Sequence, residues 1–280
     1  MSLKIYNISK RVTPFTPPST EGDFIANTSK VFHDNKIDVR VFLPRYGYIS
    51  ERKYILREVI RLKDICVTAN GEKCVSSVKS AFIPDSRVQV YFNIYPELYK
   101  EITKSVTSNY IQPKNMNVYH AFLMYSMAAV NTLVRLYWQP DVILCYNWHS
   151  ALIPIMLKTV LKDNDWFKKT KIVTVISSDE PFYAFPKEAI DYFQLGLEDP
   201  AALADPEQLL ETTLSLSDGI IQIDSKKENK SDELMQSKKI NALLSRKAEQ
   251  YKKFNINTSS DNIEFWGPIA KELYEFLDKL

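Results

Sequence analysis

Glycine is scarce in this chain. Its 280 residues include six, Gly22, Gly47, Gly71, Gly196, Gly219 and Gly267, where the usual share of ~7% would give about three times as many. No two are adjacent and no pair forms G-x-G. The dinucleotide fingerprint and the P-loop both need clustered glycines, because backbone N–H groups must come close to a phosphate. Both motifs are excluded. Cysteine is almost as rare: Cys66, Cys74 and Cys145 are the full set, without C-x-x-C spacing. Such a set is neither a disulfide framework nor a zinc knuckle. It fits a reducing compartment, with the three thiols read as small buried apolar groups. The three histidines, His33, His120 and His149, stand far apart, and no metal site is expected. A surplus of one charge is also missing. Lys and Arg number 36 against 34 Asp and Glu, a formal charge of +2, which argues against nucleic acid or an anionic membrane as partner. No apolar run reaches the ~18 residues of a membrane span, and the opening residues carry no signal-like stretch. A cytoplasmic protein is expected.

Apolar residues make up 45% of the chain, enough for a sizeable core. Their spacing alternates between two periods. Leu3–Ile8 reads as a strand, Asp23–Asn35 as a helix and Val39–Leu43 as a second strand, a βαβ unit that implies parallel pairing. Between about 50 and 95 the pattern turns to short β-branched runs around Asn70-Gly71, the strongest short hairpin signal. This predicts a β-rich insertion that rejoins the sheet near Val88–Ile94. Helical spacing resumes over Val118–Trp138, apolar almost all round. Buried-type strands are predicted at Asp141–Cys145, Lys171–Ile176 and Gly219–Ile223, with helices at Ser150–Leu161 and Pro206–Leu216. Basic residues dominate 226–253, and Asn262–Leu280 reads as an amphipathic helix. The predicted architecture is a single doubly wound, Rossmann-like α/β domain over 1–225, with the insertion and a Lys-rich helical tail over 226–280 that packs back on the domain.

Three segments carry a resemblance. Lys4–Phe15, KIYNISKRVTPF, is similar to an opening KILFVASEVAPF. Asp38–Gly47, DVRVFLPRYG, is very close to DVRVxLPRYG. Pro140–Pro154, PDVILCYNWHSALIP, matches PDIVHxHDWHTALxP. In this order and spacing, with Ser217–Ile221 similar to a later ADxV strand, they resemble the bacterial glycogen and starch synthases. The resemblance spans residues 1–225. It implies the N-terminal half of a GT-B fold, two Rossmann-like halves with the active site between them, and glucosyl transfer from ADP-glucose to an α-1,4-glucan. The family's second half, which supplies most of the nucleotide site, has no counterpart in the residues after Ser225.

Carried onto this sequence, the resemblance names His149, Asn147, Trp148, Asp23, Arg45 and Tyr46 as candidate substrate-binding residues. His149 is then a vestigial catalytic candidate. It follows a central strand and opens a helix, the crevice where open α/β sheets bind ligands; capping its own helix is the alternative role. Arg45 has a structural alternative in a buried bond to backbone, and Asp23 one as a helix N-cap. The family's donor loop KTGGLAD falls on Pro17–Asp23, where Pro17 replaces the lysine, Ser19 and Thr20 the glycines, and Glu21 the leucine. An ammonium and bare amides beside a diphosphate become prolines and an added carboxylate, which reverses the local sign. Arg11 replaces a family glutamate, Asn147 an aspartate, and Val175–Ser178 a TIHN segment whose histidine is lost. The expected function is therefore binding of α-glucan, or of a protein of glycogen metabolism, without unaided transfer. A glucosyltransferase completed by a second chain, using ADP-glucose as donor, is one alternative. A non-enzymatic module that dimerises through the open cleft face is the other. No resident cofactor is expected. Tyr91, Tyr95, Tyr99, Tyr183 and Tyr192 are stacking platforms for sugar rings if exposed.

Overall fold

Strand β1 (Lys4–Ile8) is buried at every position after its first, as a central parallel strand requires. The computed structural model describes residues 2–99, 102–109, 115–178, 180–193, 196–197, 200–225, 232–256 and 263–280. On either side of β1 lie β2 (Asp38–Pro44) and β7 (Val142–Tyr146), both parallel to it. Outward from β7 come β8 (Lys171–Ser177), β9 (Gly219–Ser225) and β10 (Tyr251–Ile256), all parallel. Beyond β2 lies β6 (Gln89–Ile94), also parallel, and then β5 (Glu72–Phe82) and β3 (Arg57–Glu58), both antiparallel to their neighbours. The order is therefore β10-β9-β8-β7-β1-β2-β6-β5-β3, with β4 (Ile65–Ala69) paired to β5. Chain direction across the sheet reverses between β1 and β7, the topological switch point at which doubly wound sheets open a crevice.

Local chemistry explains the elements. The insertion is the β3–β6 segment, and its hairpin turns at Asn70 and Gly71, with φ of 49° and 75°. Two consecutive positive φ values make a type I′ turn, which Asn-Gly adopts readily. The first helix, Thr20–Asp34, starts three residues earlier than its apolar spacing suggests. Ser19 is its N-cap, accepting from Gly22 N at 3.0 Å. Asp23, a substrate-binding candidate with a capping role as its alternative, is not the cap; it sits inside the first turn, where it accepts from Thr13 Oγ1 at 2.6 Å. The long helix Met116–Leu136 starts at the Asn115 cap and buries most of its circumference. Among the described residues, no helix is long and apolar enough to cross a membrane.

Two expectations are corrected. Only Cys145 is buried; Cys66 is exposed and Cys74 half-buried, because the β4–β5 hairpin lies at the rim of the sheet and Cys66 falls on its outward alternation. The tail is also not wholly helical. A helix at Lys238–Arg246 is followed by β10, which extends the parallel sheet. Its lysines, Lys252 and Lys253, conceal a strand whose inward residues are Phe254 and Ile256.

The closing helix Ile263–Asp278 lies on the first helix. Trp266, 1% exposed, meets Phe24 at a ring-centroid distance of 6.3 Å, and Tyr274 meets Phe32 at 6.3 Å. Lys247 fastens the tail more locally: its ammonium donates to the carbonyls of Leu214, Ser215 and Ser217 at 3.0, 2.7 and 2.7 Å. These are the orphan carbonyls at the end of the helix Pro206–Leu216. Lys247→Met removes all three bonds. It is expected to cost about 1–3 kcal/mol in urea denaturation with an unchanged m value.

Candidate functional site

The candidate site lies where the switch point predicts, at the carboxyl ends of β1, β7 and β8. Three loops meet there. The loop after β1 brings Ser9, Lys10 and Arg11; the turn after β7 brings Asn147, Trp148 and His149; the loop after β8 brings Glu180. The first turn of the first helix adds Glu21 from above. His149 and Ser9 are 0% exposed, Glu21 and Glu180 1%, and Lys10 7%. A cluster that carries charge yet excludes water must satisfy itself internally.

It does so nearly completely. The Lys10 ammonium is ion-paired with Glu180 and stands 5.6 Å from the centre of the Trp148 ring. Trp148 Nε1 donates to Glu180 Oε1 at 3.2 Å. Asn147 Nδ2 donates to Glu21 Oε2 at 2.6 Å and faces Glu180 Oε2 at 3.3 Å, while Asn147 Oδ1 accepts from Ser177 N at 2.9 Å. Arg11 donates to the carbonyl of Thr107. Asn147 is held at φ 55° and ψ −170°, outside the left-handed helical well and in a sparsely populated backbone region of the kind that clusters at functional sites. In this setting an aspartate would add a carboxylate beside two acids that already share one dry site. Asparagine at 147 is thus the partner that Glu21 and Glu180 require.

Glu21 is held in an unusual state. Burial, and then the Glu180 carboxylate, push its carboxyl up from 4.5 to about 7. Ser9 Oγ accepts from Arg11 N at 2.9 Å and has one proton for two acceptors, Arg11 O at 2.8 Å and the Glu21 carboxyl; its donation to Glu21 opposes the upward shift without cancelling it. A carboxyl that keeps its proton in the folded chain after the unfolded chain has lost it makes stability fall as pH rises from about 4.5 to about 7. Glu21→Gln reproduces the neutral form. Its stability relative to wild type is expected to improve by up to about 3 kcal/mol between pH 4.5 and pH 8. Urea denaturation across that range checks this, and the histidines, common to both proteins, cancel in the difference.

The candidate residues read from the sequence divide into two groups. His149, Asn147 and Trp148 stand together in the cluster. His149 does not cap its helix; its Nε2 accepts the backbone N–H of Lys10 at 3.1 Å. Nδ1 therefore bears the proton, and it is buried without a hydrogen-bond partner. Burial, then the positive charges of Lys10 and Arg11, hold the imidazole well below its usual 6.5, so it stays neutral. Tyr46 is a buried strut whose hydroxyl donates to Lys10 O at 3.1 Å. Asp23 and Arg45 lie outside the cluster. Asp23 holds Thr13. Arg45 bonds through its backbone N–H to Asn93 O at 2.8 Å, and its guanidinium lies 3.5 Å from Glu51. Lys10 and Glu180 were not legible as site residues. The available signal was a charged residue following each of two central strands. Of the tyrosines, Tyr91 and Tyr99 are core residues.

The degenerate donor loop sends Glu21 into the cluster, while Pro17 and Pro18 at its start lie at a neighbouring cleft. Pro14, Phe15, Thr16, Pro17 and Pro18 line a cleft of about 490 Å³ together with Tyr48, Ser50, Lys53, Tyr54 and Lys104. Tyr54 fixes this loop by donating to Pro14 O at 2.7 Å.

Comparison with known proteins places this geometry. The starch synthase catalytic domain profile matches residues 4–229. A glycogen synthase of Chlorobium luteolum is 33% identical over 189 residues, covering 66% of this chain and 38% of the relative. A glycogen synthase of Chlorobaculum tepidum is 30% identical over 188 residues, covering 67% and 38%. The chain thus spans well under half the length of these relatives. In three dimensions it is similar to the catalytic domain of starch synthase IV from Arabidopsis thaliana, solved bound to ADP and acarbose. That match has a TM-score of 0.72 at 13% identity, over 93% of this chain and 53% of that one, and it shows the fold alone. On the profile match and the shared architecture, the chain belongs to the starch synthase catalytic domain family.

Proposed function

We propose that this glycogen/starch-synthase-like domain acts in glucan metabolism by binding α-glucan, or a protein partner, and does not transfer glucose by itself. The observation that carries the reading is the filled switch point. Glucosyl transfer needs a donor diphosphate held by cations and amides, with its sugar exposed to an acceptor. At the matching place in this chain, Lys10 is committed to Glu180 and Glu21 is turned inward to Ser9 and Asn147. The amide that would meet a ligand at Lys10 is already bonded to His149. Asn147, Trp148 and His149 serve this interior, and that supports binding elsewhere on the domain rather than donor chemistry here.

The large exposed apolar side chains among the described residues, such as Ile55, Ile60, Phe82, Val134 and Tyr137, belong to the insertion and to helix ends. The strand-end loops hold none of them, which favours a glucan over a second copy of this chain on the cleft face. Incorporation of labelled glucose from ADP-glucose or UDP-glucose into glycogen is the test. The chain alone is expected to give none, while maltooligosaccharides bind in calorimetry. Transfer that disappears in His149→Ala contradicts the proposal. Transfer that needs both this chain and cell extract, and that extract alone does not give, identifies an enzyme completed by a second chain.

A further inference from the structure

The insertion holds one residue in a costly conformation that the fold does not repay. The helical turn Glu51–Tyr54 ends on Ile55, whose φ of 52° and ψ of 53° are left-handed. Glycine commonly fills such a position, and a β-branched side chain there is a genuine outlier. Burial does not offset the cost, because Ile55 is 65% exposed. Phe82, the last residue of β5, is 54% exposed. Both border one hollow. β3 and β5 pair at Glu58–Lys79 and Arg57–Ser80 and no further; the chain departs at Ile55, and the space left beside the end of β5 is a cleft of about 600 Å³. Its free charge is positive. Lys53 and Arg57 line it, both exposed, and neither has an ion pair among the described residues. Lys53 also stands 5.0 Å from the centre of the Tyr54 ring. Of the two lining acids, Glu58 is held by Lys63 at 3.2 Å, which leaves Asp85. Arg52 and Arg87, exposed and adjacent in sequence to these segments, add to the excess.

We propose that this hollow docks a short acidic segment of another protein, whose apolar side chains cover Ile55 and Phe82 and whose carboxylates meet Lys53 and Arg57. A strained residue whose side chain nothing inside the fold uses points outward, to a contact. Two large apolar side chains exposed at one concave place mark a protein-binding surface, and the cationic rim sets the partner's sign. A second copy of this chain would bring the same cations to the same surface across a two-fold axis, which disfavours self-association here. The surface uses none of the sealed cluster's residues. It stands or falls separately from the non-transferring reading.

Ile55→Gly separates docking from folding. Glycine takes this backbone conformation freely, so the variant is expected to keep or raise the Tm while losing the docking side chain. Peptides are selected on the full chain from a random display library, after depletion on the double variant Ile55→Gly with Phe82→Ser. Those retained are expected to combine Leu, Ile or Phe with Asp or Glu. In calorimetry the synthetic peptides are expected to bind wild type with micromolar Kd and to weaken as sodium chloride is raised. Ile55→Gly, and separately Lys53→Glu with Arg57→Glu, are each expected to weaken them tenfold or more. The proposal is overturned if no peptide survives depletion, if the survivors lack acids, or if the charge-reversed variant binds like wild type. A lower Tm for Ile55→Gly also overturns it, since Ile55 would then serve the fold. Two further results replace the partner and so overturn it as well: binding to phosphatidylserine vesicles, or a dimer in light scattering, that Ile55→Gly with Phe82→Ser abolishes.

Discussion

Asn147→Asp is expected to destabilise the fold by about 3–5 kcal/mol at pH 7, the range seen when a buried charge is left without compensation. The amide of Asn147 is the donor that lets two acids share one dry site, at 2.6 Å from Glu21 and 3.3 Å from Glu180. Replacing it with a carboxylate removes both donations and adds a like charge, while Ser177 N still finds an acceptor. The change is nearly isosteric, so packing is not the cause of the loss. The rescue is specific. Glu21→Leu combined with Asn147→Asp recreates the leucine and aspartate of the family motifs, and most of the lost stability is expected to return. Urea denaturation of the two single variants and the double variant measures the coupling. An Asn147→Asp variant within about 0.5 kcal/mol of wild type would show that the cluster is wetter than its burial indicates.

Lys10→Met is expected to have an effect of similar size, about 3–5 kcal/mol, for the complementary reason. It keeps the aliphatic stem that lies by Trp148 and deletes the ammonium, leaving Glu180 buried against Glu21 with only Trp148 Nε1 and Asn147 Nδ2 as donors. Burial also lowers the affinity of Lys10 for its proton, against the pull of Glu180, so the pair survives through geometry and not through solvation. Lys10→Met with Glu180→Gln removes both charges and keeps an acceptor for Trp148. That double variant is expected to fall within about 1 kcal/mol of wild type, since a well-packed neutral replacement for a buried ion pair is often close to neutral. If the double variant is as unstable as the single one, the ion pair does more than neutralise itself.

Much of the fold is legible in the residues because parallel strands and their crossovers follow a simple period. The five apolar residues of β7 and the Asn70-Gly71 turn sit where spacing and turn chemistry put them. β10 is hidden because Tyr251, Lys252, Lys253 and Phe254 do not alternate cleanly; its burial is decided by tertiary contact with β9 and with Phe24. The site shows the same division. The loss of the donor lysine and glycines can be read directly from Pro17–Asp23. The sequence does not say what fills the space they leave, because Lys10, Glu21, Asn147 and Glu180 are separated by up to 170 residues and meet only in the folded chain. Substitutions that look like separate losses, a leucine to Glu21 and an aspartate to Asn147, form one hydrogen-bonded exchange in three dimensions.

A direct titration of this chain with ADP-glucose probes the switch point most closely. With the interior satisfied by its own side chains, no saturable heat is expected up to millimolar ligand, and amide hydrogen exchange at residues 9–23 and 147–150 should be unchanged by the ligand. Micromolar binding together with slowed exchange in those two segments would contradict the account, because the donor would then have found room where Lys10, Glu21 and Glu180 now stand.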